Sequence, residues 1–271
     1  MAAITHESYM DESGTHDGSP LTLVGGYLFD AKSAARFQQV WAQVLKPYRD
    51  RGIEWFHAYS CANKEKNFAN LNFAERLSLF RQLVDLTRDT AYMGFVVELE
   101  SSVYDAWRVD NPTVNSLVGS KYAACCFQSL LFLRQLLKRE RLDIGDIHYF
   151  FERIGQENGK GNPLDRERNE LLAVVEAHPG LVKDFRFGAE TRAPKGQVHA
   201  LESADLMLWT YSSLHAPLTD FTKVSRRLFR EGLRHRCTTM SYGALTEIAR
   251  LNNDFQIREN SYVGKVTVFK F

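Results

Sequence analysis

The chain has 271 residues, 44% of them hydrophobic, enough to bury a sizeable core and too apolar for disorder. Its 34 Lys and Arg nearly balance 33 Asp and Glu, so a formal net charge of +1 supplies no overall field favouring nucleic acid or a membrane, and any such surface has to be local. No apolar run approaches the ~20 residues that span a bilayer, the start MAAITHESYMDESG has no signal-peptide pattern, and Cys61, Cys125, Cys126 and Cys237 form no C-x-x-C motif, which reads as a soluble cytoplasmic protein with reduced thiols.

Residues 6–11 and LTLVGGYLF (21–29), separated by a Ser-Pro turn, are expected to pair as antiparallel strands. A helix should follow, capped by Asp30, carrying Phe37, Val40, Trp41, Val44 and Leu45 at helical spacing, and ended by Gly52. IEWFHAYSCANKEKNF is polar and irregular. The pattern turns helical again through Leu77, Phe80, Leu83, Val84 and Leu86, then β-prone in AYMGFVVELE (91–100). From about 113 to 138 the chain predicts a long helix, apolar nearly all round in its middle and therefore central.

DIHYFFERI (146–154) reads as a fourth strand, LVKDFRFGAE (181–190) as a fifth, with a Gly-rich loop and a helix between them. ALESADLMLWTYSSLH (200–215) predicts a helix with an acidic rim, TKVSRRLFREGLRHR (222–236) a helix with a basic one, and SYVGKVTVFKF (261–271) a late strand. Neither a repeat nor a Pro/Gly/Ser linker divides the chain, so residues 1–271 read as a single mixed α/β domain.

Three places put carboxylates where apolar segments end. Asp11 and Glu12 lie where the first strand enters its turn; being consecutive in an extended segment they point to opposite faces, so only one of them should join a given site. A solvated turn of Asp, Glu, Ser and Gly is the alternative. Glu202 and Asp205, three apart on a helix, share a face, and Asp205 sits in so apolar a setting that it needs a partner; acids favouring the helix dipole are the alternative there. Glu152 leaves the fourth strand beside Arg153, which can neutralise it at the surface. Clustered oxygen donors without cysteine suit Mg²⁺ or Mn²⁺.

GQENGKG (155–161) is not a Walker A loop, having three residues between its glycines and no Ser or Thr after Lys160, and neither a G-x-S-x-G elbow nor an H-E-x-x-H zinc motif occurs. Arg226, Arg227, Arg230, Arg234 and Arg236 would make a basic helix face, a phosphate track or simply a solvated surface.

The opening YMDESG followed by LVGGYLF, together with the late helix LESADLMLW, resembles the domain-of-unknown-function 3800 family, from Tyr9 to about Leu214. That resemblance implies an RNase H-like α/β fold, a mixed sheet flanked by helices, here with a helical insertion at about 30–90 between the second and third strands. It implies a metal-dependent nuclease acting on DNA or RNA, with two ions about 3.5–4 Å apart activating water. Asp11, Glu152 and Asp205 take the ligand roles, and Glu12 assists. Glu202 stands where an amide is usual and adds a ligand or varies the surroundings of the site. His57, in EWFHAY, is placed near the site; a lone His among aromatics is otherwise more often structural. An inactive binding or regulatory module of the same fold is the alternative, and a protein partner or a second copy is left open.

Overall fold

A computed structural model describes residues 4–16, 18–113, 117–142, 144–153, 196–230, 233–254 and 264–267, with most of 166–194. The Gly-rich stretch 155–161 lies outside them.

Strands β1 (Ile4–Ser13) and β2 (Leu21–Asp30) form the expected hairpin, and β3 (Met93–Glu100) pairs antiparallel with β2. Between β2 and β3 lie α1 (Ala31–Leu45), α2 (Ala58–Asn63) and α3 (Phe73–Thr90). Asp30 caps α1 by accepting from the Ser33 N–H at 2.9 Å, and Asn72 and Glu75 close a capping box on α3. After β3 come α4 (Ser101–Asp110), α5 (Lys121–Arg139) and β4 (Asp146–Glu152). Then follow α6 (Pro179–Asp184), β5 (Phe187–Ala193), α7 (His199–Ser212), α8 (Asp220–Ser225) and α9 (Arg227–Arg230). The described chain ends with β6 (Arg234–Met240), α10 (Tyr242–Asp254) and β7 (Gly264–Thr267).

The strands form one sheet in the order β5-β4-β1-β2-β3-β6-β7. β4 runs parallel to both β1 and β5, and β6 parallel to β3, so β2 and β7 alone oppose the other strands. An antiparallel meander β1-β2-β3 extended on its β1 side by parallel β4 and β5 is the RNase H-like arrangement, and α1–α3 form the helical insertion between β2 and β3.

Alternation along the strands feeds two cores. Met10, Val24, Leu28 and Phe95 pack under α4, α5 and α10; Tyr9, Leu23, Tyr27 and Phe29 pack under α1, α3 and α7. Fifteen of the nineteen residues of α5 are buried, which is why this helix is apolar on every side. All four cysteines are buried and unbridged, and burial pushes the Cys61 thiol up to about 12. No helix among the described residues is long and apolar enough to cross a membrane.

Several elements depart from expectation. The long helix begins at Lys121, behind Gly119 in the left-handed region (φ 70°) and the Ser120 cap, rather than near 113. IEWFHAYSCANKEKNF contains α2 and a turn of 3₁₀ helix. The fifth strand starts only at Phe187, because residues 181–184 end a helix.

The basic helix is replaced by two short helices and β6, which buries His235, Cys237, Thr238 and Met240. Among its arginines, Arg226, Arg227, Arg234 and Arg236 serve local contacts. Arg226 donates to the carbonyls of Ser213 and Leu214 at 3.0 and 2.7 Å, Arg227 meets Asp85 at 3.0 Å, and Arg234 and Arg236 meet Glu140 at 3.2 and 2.8 Å. The phosphate-track reading therefore loses its common face.

Candidate metal centre

Ladder pairing between β1 and β4 ends at Met10 opposite Phe151. The next residues of two parallel strands are neighbours, so Asp11 and Glu152 meet at the carboxyl edge of the sheet, where open α/β sheets present their sites. Asp11, Glu12 and Glu152 each offer an oxygen, and these oxygens all lie within 4.8 Å of one another. Asp11 is buried (2% exposed), and its Oδ1 accepts the Glu12 N–H at 2.8 Å, which fixes the carboxylate plane. Glu12 corrects the expectation that only one member of the pair joins a site. At a strand end, beyond the last rung to β4, its longer side chain can round the edge of the sheet.

Two glycines shape this corner. Gly14 closes the hairpin with φ +72°, where a Cβ would stand 2.0 Å from the Leu21 carbonyl oxygen. Gly25 is the rung partner of Asp11, and a Cβ there would lie 2.4 Å from the Phe95 carbonyl oxygen and 3.3 Å from Cε of Met207. Its bare face admits α7, which lies across β1 and β2 beside Asp11. Beneath the corner, the buried Arg168 guanidinium donates to Tyr122 Oη at 2.7 Å and to the Glu152 carbonyl at 3.1 Å, anchoring the end of β4.

The three carboxylates open into a cleft of about 550 Å³, lined also by Ser13, His57, Tyr59, Asp205, Leu208 and Trp209. On α7, Asp205, Leu208, Trp209 and Ser212 stand at i, i+3, i+4 and i+7, so one helical face makes that wall. Asp205 has the partner its apolar setting demanded. Oδ2 accepts the Ala58 N–H at 2.7 Å, and Oδ1 lies 3.7 Å from His57 Nε2. His57 caps α2, its Nδ1 accepting the Ser60 N–H at 3.2 Å. An Nδ1 that accepts leaves the proton of a neutral ring on Nε2, toward Asp205 and the cleft. Asp205 lines the cleft without belonging to the set of carboxylates within 4.8 Å.

Glu202 stands apart from the cleft. Fully buried, it accepts from Trp41 Nε1 at 2.7 Å and the Phe56 N–H at 2.8 Å through Oε2, while Oε1 meets His199 Nδ1 at 2.7 Å. Burial raises its pKa, and the His199, Phe56 and Trp41 hydrogen bonds pull the other way. Glu202 and Asp205 do share a face, as their spacing predicts, but what they share is the segment Phe56–Ala58, whose alternate N–H groups they receive. Both oxygens of Glu202 are committed to this clamp, which fits the alternative that it varies the surroundings of the site rather than adding a ligand.

Replacing Glu202 by Ala leaves the Trp41 and Phe56 donors buried and unmet, and should cost about 2–4 kcal/mol. Glu202→Gln, which keeps an accepting oxygen, should lose far less. Urea unfolding of the two variants checks this, and equal losses would contradict the clamp.

Neither protein-family models nor curated proteins nor solved structures give a match to this chain. Its class rests on the RNase H-like topology and on the acidic corner.

Proposed function

We propose that the chain is a nuclease that hydrolyses phosphodiester bonds in DNA or RNA with Mg²⁺ or Mn²⁺, and that it belongs to the domain-of-unknown-function 3800 family. The observation that carries this reading is the meeting of Asp11, Glu12 and Glu152 at the carboxyl edge of an RNase H-like sheet, in a cleft that Asp205 also lines.

At an effective dielectric of ~20, two carboxylate charges at that spacing repel by about 3 kcal/mol. Such a cluster favours a cation, and a set of hard oxygen donors with no thiol suits Mg²⁺ or Mn²⁺. Asp11, Glu12 and Glu152 would hold it. When bound, the ion polarises a phosphodiester and lowers the pKa of the attacking water.

The chain's own groups do the rest. The Glu12 N–H holds Asp11 in orientation, and Arg168 holds the strand end that carries Glu152. The neutral His57 ring turns its Nε2–H toward the cleft, where it can donate a hydrogen bond to a phosphate oxygen, with Asp205 beside it; the leaving oxygen takes its proton from water. Glu202 braces Phe56 and so keeps His57 over the cleft.

The test is cleavage of labelled single-stranded and duplex DNA and RNA with Mg²⁺, with Mn²⁺ and with EDTA. Cutting with either ion and none with EDTA is expected. No cutting of any polymer by the folded protein would overturn the reading in favour of an inactive binding module.

A further inference from the structure

The cleft has a lining of two kinds. Asp11, Glu12 and Glu152 stand at the sheet edge, and His57, Tyr59, Leu208 and Trp209 line it together with Asp205 and three serines. Tyr59 is 50% exposed, on a helix whose buried residues are Ala58, Ser60 and Cys61. The ring lines the cleft edge-on to His57 with centroids 6.5 Å apart, and His57 in turn stands edge-on to Trp55 at 6.0 Å. Trp209 packs on Phe80 at 5.4 Å and also lines the cleft. It lies one turn of α7, about 6 Å of rise, beyond Asp205. Aromatic side chains that share a cleft with the three carboxylates suit the face of an unstacked base, whereas a paired base keeps its faces inside the duplex.

We infer that the cleft takes a single-stranded nucleic acid, with the base next to the scissile phosphate stacked against Tyr59 and Trp209. This rests on the nuclease reading and adds the substrate's form to it. Paired nucleic acid reaches the same walls only by extruding a base, which costs unpairing energy. A single strand should therefore bind best, a mismatched duplex less well and a perfect duplex least.

The test is fluorescence anisotropy of a short labelled oligonucleotide in Ca²⁺, as a single strand, as a mismatched or a perfect duplex, and as a single strand carrying one abasic site at successive positions. The single strand should bind tightest. Tyr59→Ala should weaken it about 10- to 100-fold, while Tyr59→Phe, which keeps the ring, stays near wild type. One abasic position should cause a similar loss in wild type and little further loss in Tyr59→Ala. Equal binding of single strand and perfect duplex, or indifference to both the abasic site and Tyr59→Ala, would overturn the inference. Turnover is scored separately with Mg²⁺. Metal-dependent cutting with base-indifferent binding defeats this inference and leaves the nuclease reading standing, and base-dependent binding without cutting does the reverse.

Discussion

Asp11→Asn is expected to lower metal-dependent cleavage on the order of 10³-fold while leaving the metal-free protein as stable as wild type or more so. The two halves have one cause. Asn keeps an oxygen to accept the Glu12 N–H, so the local hydrogen bond survives, and it removes one of three charges gathered within 4.8 Å. Without metal that charge is a cost, and with metal it is a ligand. Losing several kcal/mol of metal-based stabilisation of the transition state corresponds to a loss of that size in rate. Thermal unfolding separates the roles. At ~100 times its Kd a bound ion adds about 3 kcal/mol, a rise of roughly 5–10 °C for a chain of this size. Wild type should show that rise and Asp11→Asn should not. A variant that melts well below wild type without metal would make Asp11 structural.

The second large effect concerns pH and β6, three strands from β1 in the sheet. His235 on β6 is enclosed between Tyr27 and Phe229, with Tyr27 Oη 3.2 Å from Nε2 and the Leu233 carbonyl 3.2 Å from Nδ1. Gly94 makes the space, since a Cβ there would stand 2.4 Å from the ring. Burial drives the His235 pKa from 6.5 down to about 3, against the pull of the Leu233 carbonyl and with help from Arg236. In the unfolded chain the ring takes a proton below about 6.5, whereas in the native fold it stays neutral until about 3. The unfolded state thus binds more protons throughout that window, and stability falls as pH falls through it, by at most 1.36 kcal/mol per pH unit and up to roughly 5 kcal/mol in all. Above pH 6.5 the contribution is constant.

His235→Gln should be less stable than wild type at pH 7, through lost packing, yet show a shallower decline between pH 6.5 and 4. Urea unfolding across that range measures both slopes. Parallel slopes would mean that His235 protonates inside the native fold.

Much of this architecture follows from local signals that tertiary packing reinforces. The apolar, β-prone runs of β2 and β3, the Asp30 cap and the all-apolar α5 are such cases, because a buried strand or helix declares its environment through its own pattern. β6 shows where that fails. Arg226, Arg227, Arg230 and Arg234 sit at helical spacing, but Arg230 is the last helical residue of that run and Arg234 the first of a strand. What makes RHRCTTM a strand is the parallel edge of β3, more than 130 residues earlier in the chain.

The site divides in the same way. That Asp11 and Glu152 both end strands is visible in sequence, and parallel pairing then makes them neighbours. The entry of Glu12 into the group depends on where the β1–β4 ladder stops, which no local pattern reports. Glu202 and Asp205 look alike on their helix. Their roles differ because the insertion brings the Phe56 N–H to one, and the Ala58 N–H beside the cleft to the other. The exposed ring of Tyr59 lies in a stretch with no periodic pattern, and only its place in the cleft distinguishes it from an ordinary surface tyrosine.

Direct titration of Mn²⁺ into the chelator-treated protein, followed by the loss of the free-ion electron paramagnetic resonance signal, tests the central claim that Asp11, Glu12 and Glu152 hold a divalent cation. Wild type should take up Mn²⁺ in competition with Mg²⁺, Asp11→Asn and Glu152→Gln should each weaken uptake tenfold or more, and Glu202→Gln should bind as wild type does. Uptake that ignores Asp11 and Glu152, or no uptake by the folded wild type, would contradict the metal centre and the hydrolysis built on it.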